Sequence, residues 1–316
     1  MTETEHVIDA HVHLAGPAGA RLLLERFAEQ PWDQLLAKVL TWTEPLAHPI
    51  LDRLASWGRH GWPQAFSRAM SELGWPQVQA IFQRLGIHEL LSDMDHEGIS
   101  HAWVHTIEPY FKTEPVARLI APWPDRFSLS VGIDPYHPDP VSRLHSLMAE
   151  FPIHGLKLHP SLQVIHPLDP RVGRLMALAE QHVLPVTIHT GTFPFRTGGW
   201  ENSRLLAPLL DAWRRQPIIL AHIGWDQAEE VLAIARKRPW VHVETSWQDP
   251  GTIRKAVKQL GEERVLFGSD WPLLKARYAL AHVRQALPHG SARQAVLGGN
   301  AMRLLRLLPV TDQRSE

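Results

Sequence analysis

The sequence predicts an α/β protein folded as a single (β/α)8 barrel. Eight short runs rich in β-branched and apolar residues alternate with helix-like stretches, the arrangement of a parallel sheet. Histidine, lysine, glutamate and aspartate recur at the carboxyl ends of these runs, the face on which such barrels build their sites. No GxGxxG follows any run, which argues against the rival, a doubly wound open sheet. With no second domain, repeat or low-complexity segment, residues 1–316 read as one domain.

The first strand is the stretch Val7-Ile8-Asp9-Ala10-His11-Val12-His13-Leu14, bounded by Ala15-Gly16-Pro17. Simple alternation puts Asp9, His11 and His13 on one face and Ile8, Ala10, Val12 and Leu14 on the other. Two imidazoles two residues apart can converge on one metal ion, although such a pair also arises where two histidines merely end a strand. Residues 16–97 read as a helical, tryptophan-rich insertion, with helix-like stretches at Ala20–Gln30, Trp32–Leu40 and Trp75–Leu85. Trp32, Trp42, Trp57, Trp62 and Trp75 fall there, either as packing within the insertion or as an aromatic lid over a pocket.

The remaining strands are expected at His101–Thr106, Phe127–Ile133, Ile153–His159, Pro185–Gly191, Ile218–Gly224, Val241–Ser246 and Val265–Asp270. Between most of them lie helix-like stretches at 138–150, 170–181, 202–216, 227–238 and 250–261, and two more at 274–287 and 291–308 close the chain. Asn300, after Gly298-Gly299, reads as an internal restart or N-cap. The tail after Leu308 is polar and expected to fray.

Composition excludes several classes. Hydrophobic content of 44%, charged content of 21% and a net charge of −1 describe an ordinary soluble chain with no bias toward nucleic acid or an anionic membrane. Cysteine is absent, which removes disulfides and thiolate chemistry. The N-terminus lacks a signal or transit pattern and no apolar run is long enough to span a bilayer, so a cytoplasmic location is expected. No GxSxG elbow or P-loop is present. The partner is therefore read as a small-molecule substrate, with a homodimer compatible with the sequence but not required by it.

The strand ends carry the chemistry. Strand 1 ends in His11 and His13, strand 4 in Lys157-Leu158-His159, strand 5 in His189, strand 6 in His222, strand 7 carries Glu244, and strand 8 ends at Asp270. One histidine at a strand end is usually a satisfied core residue. Histidines from separate strands and an aspartate on one rim are hard to explain by packing, because each buried polar group needs a partner. A metal ion supplies that partner.

The chain resembles the amidohydrolase superfamily, in the amidohydrolase-related branch that also holds aminocarboxymuconate-semialdehyde decarboxylase. The resemblance rests on IDAHVHL at 8–14, GLKLHP at 155–160, PVTIHTG at 185–191, LAHIG at 220–224, VLFGSDWP at 265–272 and LGGNAMRLLRL at 297–307, and spares only the tryptophan-rich insertion. It implies that His11, His13, His189 and Asp270 hold one divalent metal, usually zinc with manganese as the alternative. It also implies that His222 is a catalytic residue beside the metal-bound water. Lys157 has three readings: an ammonium that grips a substrate carboxylate, a carboxylated bridge to a second metal, or a lysine paired with Asp or Glu inside the rim. The strand-4 residue His159 and the more distal Arg196 are candidates for the same anionic or second-metal role, or ordinary rim charges.

Such a ligand set leaves a position for water, whose pKa a bound metal lowers to about 7. Asp270 can accept that proton and later deliver it, while His222 stabilises the developing oxyanion. Asp9 and Glu244 can orient ligand histidines, or can be simple structural pairs. Two enzyme readings share this site. The first is a hydrolase acting with metal-activated water on an ester, lactone or amide. The alternative is a non-oxidative decarboxylase or C–C bond hydrolase of a carboxylated substrate. An inactive metal-binding scaffold is the remaining reading, and it would show as a missing ligand, which the sequence does not have.

Overall fold

A computed structural model of the chain describes residues 5–14, 85–192, 200 and 202–307. In order these form β1 (Val7–Val12), α1 (Ile87–Glu97), β2 (Ile99–His105), α2 (Thr113–Ile120), β3 (Phe127–Val131), α3 (Pro140–Glu150), β4 (Gly155–Leu158) and α4 (Pro170–Gln181). There follow β5 (Val186–Ile188), α5 (Leu206–Ala212), β6 (Ile218–Leu220), α6 (Ala228–Arg236), β7 (Val241–Glu244), α7 (Pro250–Leu260), β8 (Val265–Leu266) and α8 (Ala276–Ala286). The last helical segment runs through α9 (Ser291–Gln294), a π-helical turn (Ala295–Gly299) and α10 (Asn300–Leu305). The expected strands are all present, most of them shorter, with β2 starting two residues earlier, and α2 lies where the sequence pattern marks no helix. No helix among the described residues is long and apolar enough to cross a membrane.

The strands pair in chain order, β1 to β8, every pair parallel. Three bonds then bring β8 back to β1. Ala10 N donates to Phe267 O at 2.9 Å, Asp270 N to His11 O at 2.8 Å, and His13 N to Trp271 O at 2.7 Å. Closure puts every strand's carboxyl end on one rim, as a (β/α)8 barrel requires.

Two apolar layers hold the barrel. Ile8, Trp103, Ile219 and Leu266 come from β1, β2, β6 and β8 and pack in one cluster with Ala10, Ala301 and Leu305. Side chains from strands that are not all neighbours can meet in this way only inside the barrel, and α10 plugs its lower end. The other layer joins the outward strand residues, such as Val104, Leu156 and Val243, to Leu175, Val231 and Leu280 on the helices.

Helix starts follow a sequence rule that is easy to see afterwards. Asp139-Pro140, Asp169-Pro170 and Asp249-Pro250 each place an aspartate at the N-cap and a proline at the first helical position. The carboxylates accept from Ser142 N at 3.0 Å, Arg171 N at 2.8 Å and Gly251 N at 2.7 Å. A cap of this kind contributes roughly 1 kcal/mol.

Three expectations need correction. Alternation along β1 is broken by irregularities in its pairing with β2 between Val7 and Ile8 and between Asp9 and Val12. Ile8 and Ala10 therefore join the interior cluster while Val12 and Leu14 join the outer one. Asp9 turns to β8, accepting from Ser269 N at 2.9 Å and Ser269 Oγ at 2.5 Å, and its Oδ1 also accepts from the His11 backbone N–H at 3.1 Å, so it is a structural pair that fastens the barrel seam. Asn300 is not an N-cap either. Its backbone is helical, and its side-chain amide donates to Glu262 O at 2.7 Å and Val265 O at 2.8 Å, clamping the last helix to the start of β8. Gly298 brings the same segment against the residue before β1, since a Cβ there would collide with the His6 carbonyl oxygen.

The range 16–97 also takes in α1, whose Ile87, Leu90 and Met94 pack into the barrel's outer layer. The five tryptophans from Trp32 to Trp75, and Arg196, lie outside the described residues.

Candidate metal centre

The strand ends bring six histidines, Lys157, Glu244 and Asp270 to one buried rim. Lys157 is 1% exposed and sets Nζ 2.9 Å from His11 Nε2. An ammonium group only donates, so His11 Nε2 accepts and its proton lies on Nδ1. That Nδ1 donates to Glu244 Oε2 at 2.8 Å. His13 donates from Nδ1 to the His105 carbonyl at 2.8 Å, which leaves its Nε2 an acceptor as well.

The result is a convergence of acceptors. The two Nε2 atoms lie 3.1 Å apart, and Asp270 Oδ1 is 3.4 Å from that of His13 and 3.7 Å from that of His11. These ligand atoms all lie within 4.8 Å of one another. Two lone pairs facing each other beside a carboxylate oxygen repel unless positive charge lies among them. Two imidazole nitrogens and a carboxylate suit a divalent cation such as zinc or manganese. Lys157 supplies part of that charge, but His11 Nε2 has one lone pair, which the ammonium and a metal cannot both use.

A second group, His11, His222 and Glu244, shares His11 with the first. Glu244 is the organiser here: Oε2 also accepts from His222 N at 3.2 Å and Ser246 Oγ at 3.0 Å, and Oε1 accepts from Ser246 N. Gly268 makes room for it, since a Cβ there would strike Glu244 Oε1. His222 Nδ1 sits 2.6 Å from Ser246 Oγ, and its ring stacks on that of His11 with centroids 4.9 Å apart. His189 falls in neither group. It stacks on His159 at 3.8 Å and meets His222 edge-on at 5.0 Å, so β4, β5 and β6 contribute one continuous imidazole wall. His159 itself accepts Leu162 N at Nδ1, at 3.1 Å.

Burial dominates the electrostatics. It pushes His13 down to about 3 and holds His11, His105, His159, His189 and His222 well below the ordinary histidine value, with Lys157 adding to each. All six are neutral and able to act as ligands or acceptors. Burial lowers Lys157 to about 8 against the pull of Asp270 and Glu244. It raises Asp270 to about 7, with Trp247 and Lys157 opposing, and Glu244 to about 8, with the Ser246 and His222 backbone donors opposing.

The backbone after β6 is strained. His222, Ile223 and Trp225 have φ of 61°, 43° and 51°, and Asp270 and Trp247 have 64° and 63°. Left-handed non-glycine residues cost on the order of 1–3 kcal/mol each and persist where surroundings over-determine them. Gln248 does so here, donating from Nε2 to the carbonyls of His222 and Trp225. Trp247 fixes Asp270 by donating from Nε1 to Oδ2 at 2.7 Å, which leaves Oδ1 aimed at the histidines.

Sequence reading missed His105, Trp247 and Gln248. His105 ends β2 just as His11 and His189 sit at their strand ends, so the same rule finds it. Trp247 and Gln248 follow Glu244 directly, but nothing in TSWQ shows that the chain turns back over the site.

Barrel and cluster together define a (β/α)8 protein with a candidate metal centre at the carboxyl rim. A family model described as Amidohydrolase matches residues 8–307, and the chain belongs to that family. A search of curated proteins returns no match. Among solved structures, 5-carboxyvanillate decarboxylase from Sphingomonas paucimobilis is similar at 18% identity and TM-score 0.65, over 96% of this chain and 99% of that one. The 2,6-dihydroxybenzoate decarboxylase from Rhizobium gives 17% and 0.65 over 96% and 99%. The manganese complex of 5-carboxyvanillate decarboxylase from Novosphingobium aromaticivorans gives 14% and 0.67 over 97% of each chain. At these identities the likeness concerns the fold.

Proposed function

We propose that this chain is a metal-dependent enzyme that removes a carboxylate from a small carboxylated molecule without oxidation, with His11, His13, His189 and Asp270 as the metal residues. The observation that carries this reading is Lys157. A buried ammonium at the centre of the site calls for an anion, and a neutral ester, lactone or amide offers none. The decarboxylases among the similar structures, one of them a manganese complex, support the same choice between the two chemistries.

A divalent ion held by these four residues would supply Lewis-acid charge that polarises substrate oxygens. The chain's own residues do the rest. Lys157 draws the anionic substrate into a rim otherwise lined by neutral imidazoles and carboxylates. Asp270, held in place by the Trp247 bond to Oδ2, is the group that carries a proton to the substrate. That proton moves to the carbon bearing the carboxylate. The carbon–carbon bond then breaks, its electron pair stays with the substrate carbon, carbon dioxide leaves, and solvent returns a proton to Asp270. His222, tied to Ser246, orients the substrate from the face opposite its own anchor.

The test is a panel of hydroxylated aromatic carboxylates, lactones, esters and amides offered to the metal-loaded protein in deuterated water. Release of carbon dioxide with one deuterium at the vacated carbon supports the proposal. Turnover confined to lactones, esters or amides returns the chain to hydrolysis.

A further inference from the structure

At the opposite end of the barrel the described residues form a second cavity, of about 380 Å³. It lies at the amino-terminal ends of β7 and β8. Arg236 ends α6, which leads into β7. His242 is the second residue of β7, Arg264 immediately precedes β8, and Arg303 projects from α10, the helix that plugs this end. The volume is in the range of small-molecule sites, roughly 300–1,000 Å³.

Its charge is unbalanced. Three guanidinium groups face one carboxylate, Glu263, and none of the three forms an ion pair among the described residues. Arg264 is the telling one. It is as buried as Arg238, at 9% exposure, but Arg238 pairs with Asp211 at 2.7 Å. Arg264 instead spends Nε on Leu260 O at 2.8 Å and Nη1 on the carbonyls of Ala235, Arg238 and Val241, leaving Nη2 unused. Those carbonyls hold the side chain in place without neutralising it. Arg303 is likewise held by carbonyl and amide oxygens, through Glu263 O at 2.7 Å and Asn300 Oδ1 at 3.1 Å. His242 is 7% exposed, and its Nδ1 is buried with no hydrogen-bond partner among the described residues. A preorganised, uncompensated cluster of this kind is what planar bidentate recognition of an oxyanion uses.

We propose that this mouth binds a phosphate-bearing small molecule. Its phosphate sits on Arg236, Arg264 and Arg303, with His242 Nδ1–H as a neutral donor and the organic part against Leu260 and Pro239. The two surplus positive charges match a phosphomonoester, which carries about −1.5 to −2 at neutral pH. A bare anion would leave most of the cavity unused. The site is separate from the metal centre, which occupies the other rim, and nothing in the reaction above requires it.

The experiment is calorimetry on the metal-loaded full chain at constant ionic strength, with inorganic phosphate, glycerol 3-phosphate and succinate as probes. Saturable binding should be tighter for glycerol 3-phosphate than for inorganic phosphate, and weak for succinate. Arg236→Gln and Arg303→Gln each remove one guanidinium from an exposed position, and each should weaken binding about tenfold with metal content unchanged. Three results overturn the proposal: no saturable binding to the wild type, binding that both variants retain in full and so belongs to the metal centre, or succinate binding as tightly as the phosphates.

Discussion

Replacing Glu244 with glutamine tests whether this carboxylate sets the protonation of the metal residue His11. The side chain is fully buried, and two backbone N–H groups, from Ser246 and His222, point at its two oxygens. An amide must aim its NH2 at one of them, so one donor loses its acceptor in either orientation. If the NH2 replaces Oε2 it also faces His11 Nδ1–H, and His11 relieves the clash by moving its proton to Nε2, the atom that faces the metal. If it replaces Oε1, His11 keeps its tautomer but gives up a carboxylate partner for a weaker neutral one.

Loss of such a supporting carboxylate typically costs 10–100-fold in metal affinity, or about 1.4–2.8 kcal/mol. The unpaired buried donor takes a further ~1–3 kcal/mol from folding stability. Competition with a chromophoric chelator measures the first quantity, on variant shown by circular dichroism to be folded, and denaturant unfolding in excess chelator measures the second. A folded E244Q that holds zinc within twofold of wild type would refute the tautomer argument.

Other outcomes follow from the same geometry. Asp270→Asn can still offer an oxygen to the metal but cannot carry a proton, so turnover should fall roughly 10²–10⁴-fold; near-normal turnover with full metal would move the proton to another group. Lys157→Ala should raise KM for carboxylated substrates with metal content intact. If metal occupancy drops instead, and bicarbonate restores the wild type but not the variant, Lys157 is a carboxylated bridge. In chelator, stability should peak near pH 6–7 and decline on both sides. Below pH 6.5 the unfolded chain protonates the six rim histidines, and also His101, His154 and His242, all of which burial lowers in the native protein, and this outweighs the buried carboxyls Asp9 and Asp270, raised by burial to about 6 and about 7. The unfolded chain therefore binds several more protons than the native one, each worth about 1.4 kcal/mol per pH unit. Above pH 6.5 the carboxyls act first and stability falls as they ionise, until Lys157, lowered to about 8, opposes them by losing its proton in the native state before the unfolded chain does. A melting temperature flat from pH 5 to 7 would contradict the assigned neutral histidines.

The fold was legible because parallel strands buried on both faces read as short apolar runs, and the helices between them carry a separate period. Elements escaped where the signal was weak. Helix α2 has eight residues, a proline in its first turn and no side-chain N-cap bond. The irregular pairing of β1 was invisible because it depends on β2, and with it went the placement of Asp9. His11, His13, Lys157, His222 and Asp270 could be read together because they mark the ends of β1, β4, β6 and β8. His189 was expected among the metal residues on resemblance, and its ring adjoins His159 and His222, the latter stacked on His11. Gln248 holds the left-handed turn from His222 to Trp225, a conformation that isoleucine and tryptophan rarely adopt and so do not announce.

The account stands most directly on one measurement, an anomalous difference map collected at the zinc or manganese edge from crystals of the reconstituted protein. It should show one strong peak about 2.0–2.2 Å from His11 Nε2, His13 Nε2, a His189 ring nitrogen and an Asp270 oxygen, with Lys157 Nζ withdrawn from His11. A map without a peak there, from protein that is catalytically active and still has Lys157 bonded to His11, would contradict the metal centre and the reaction built on it.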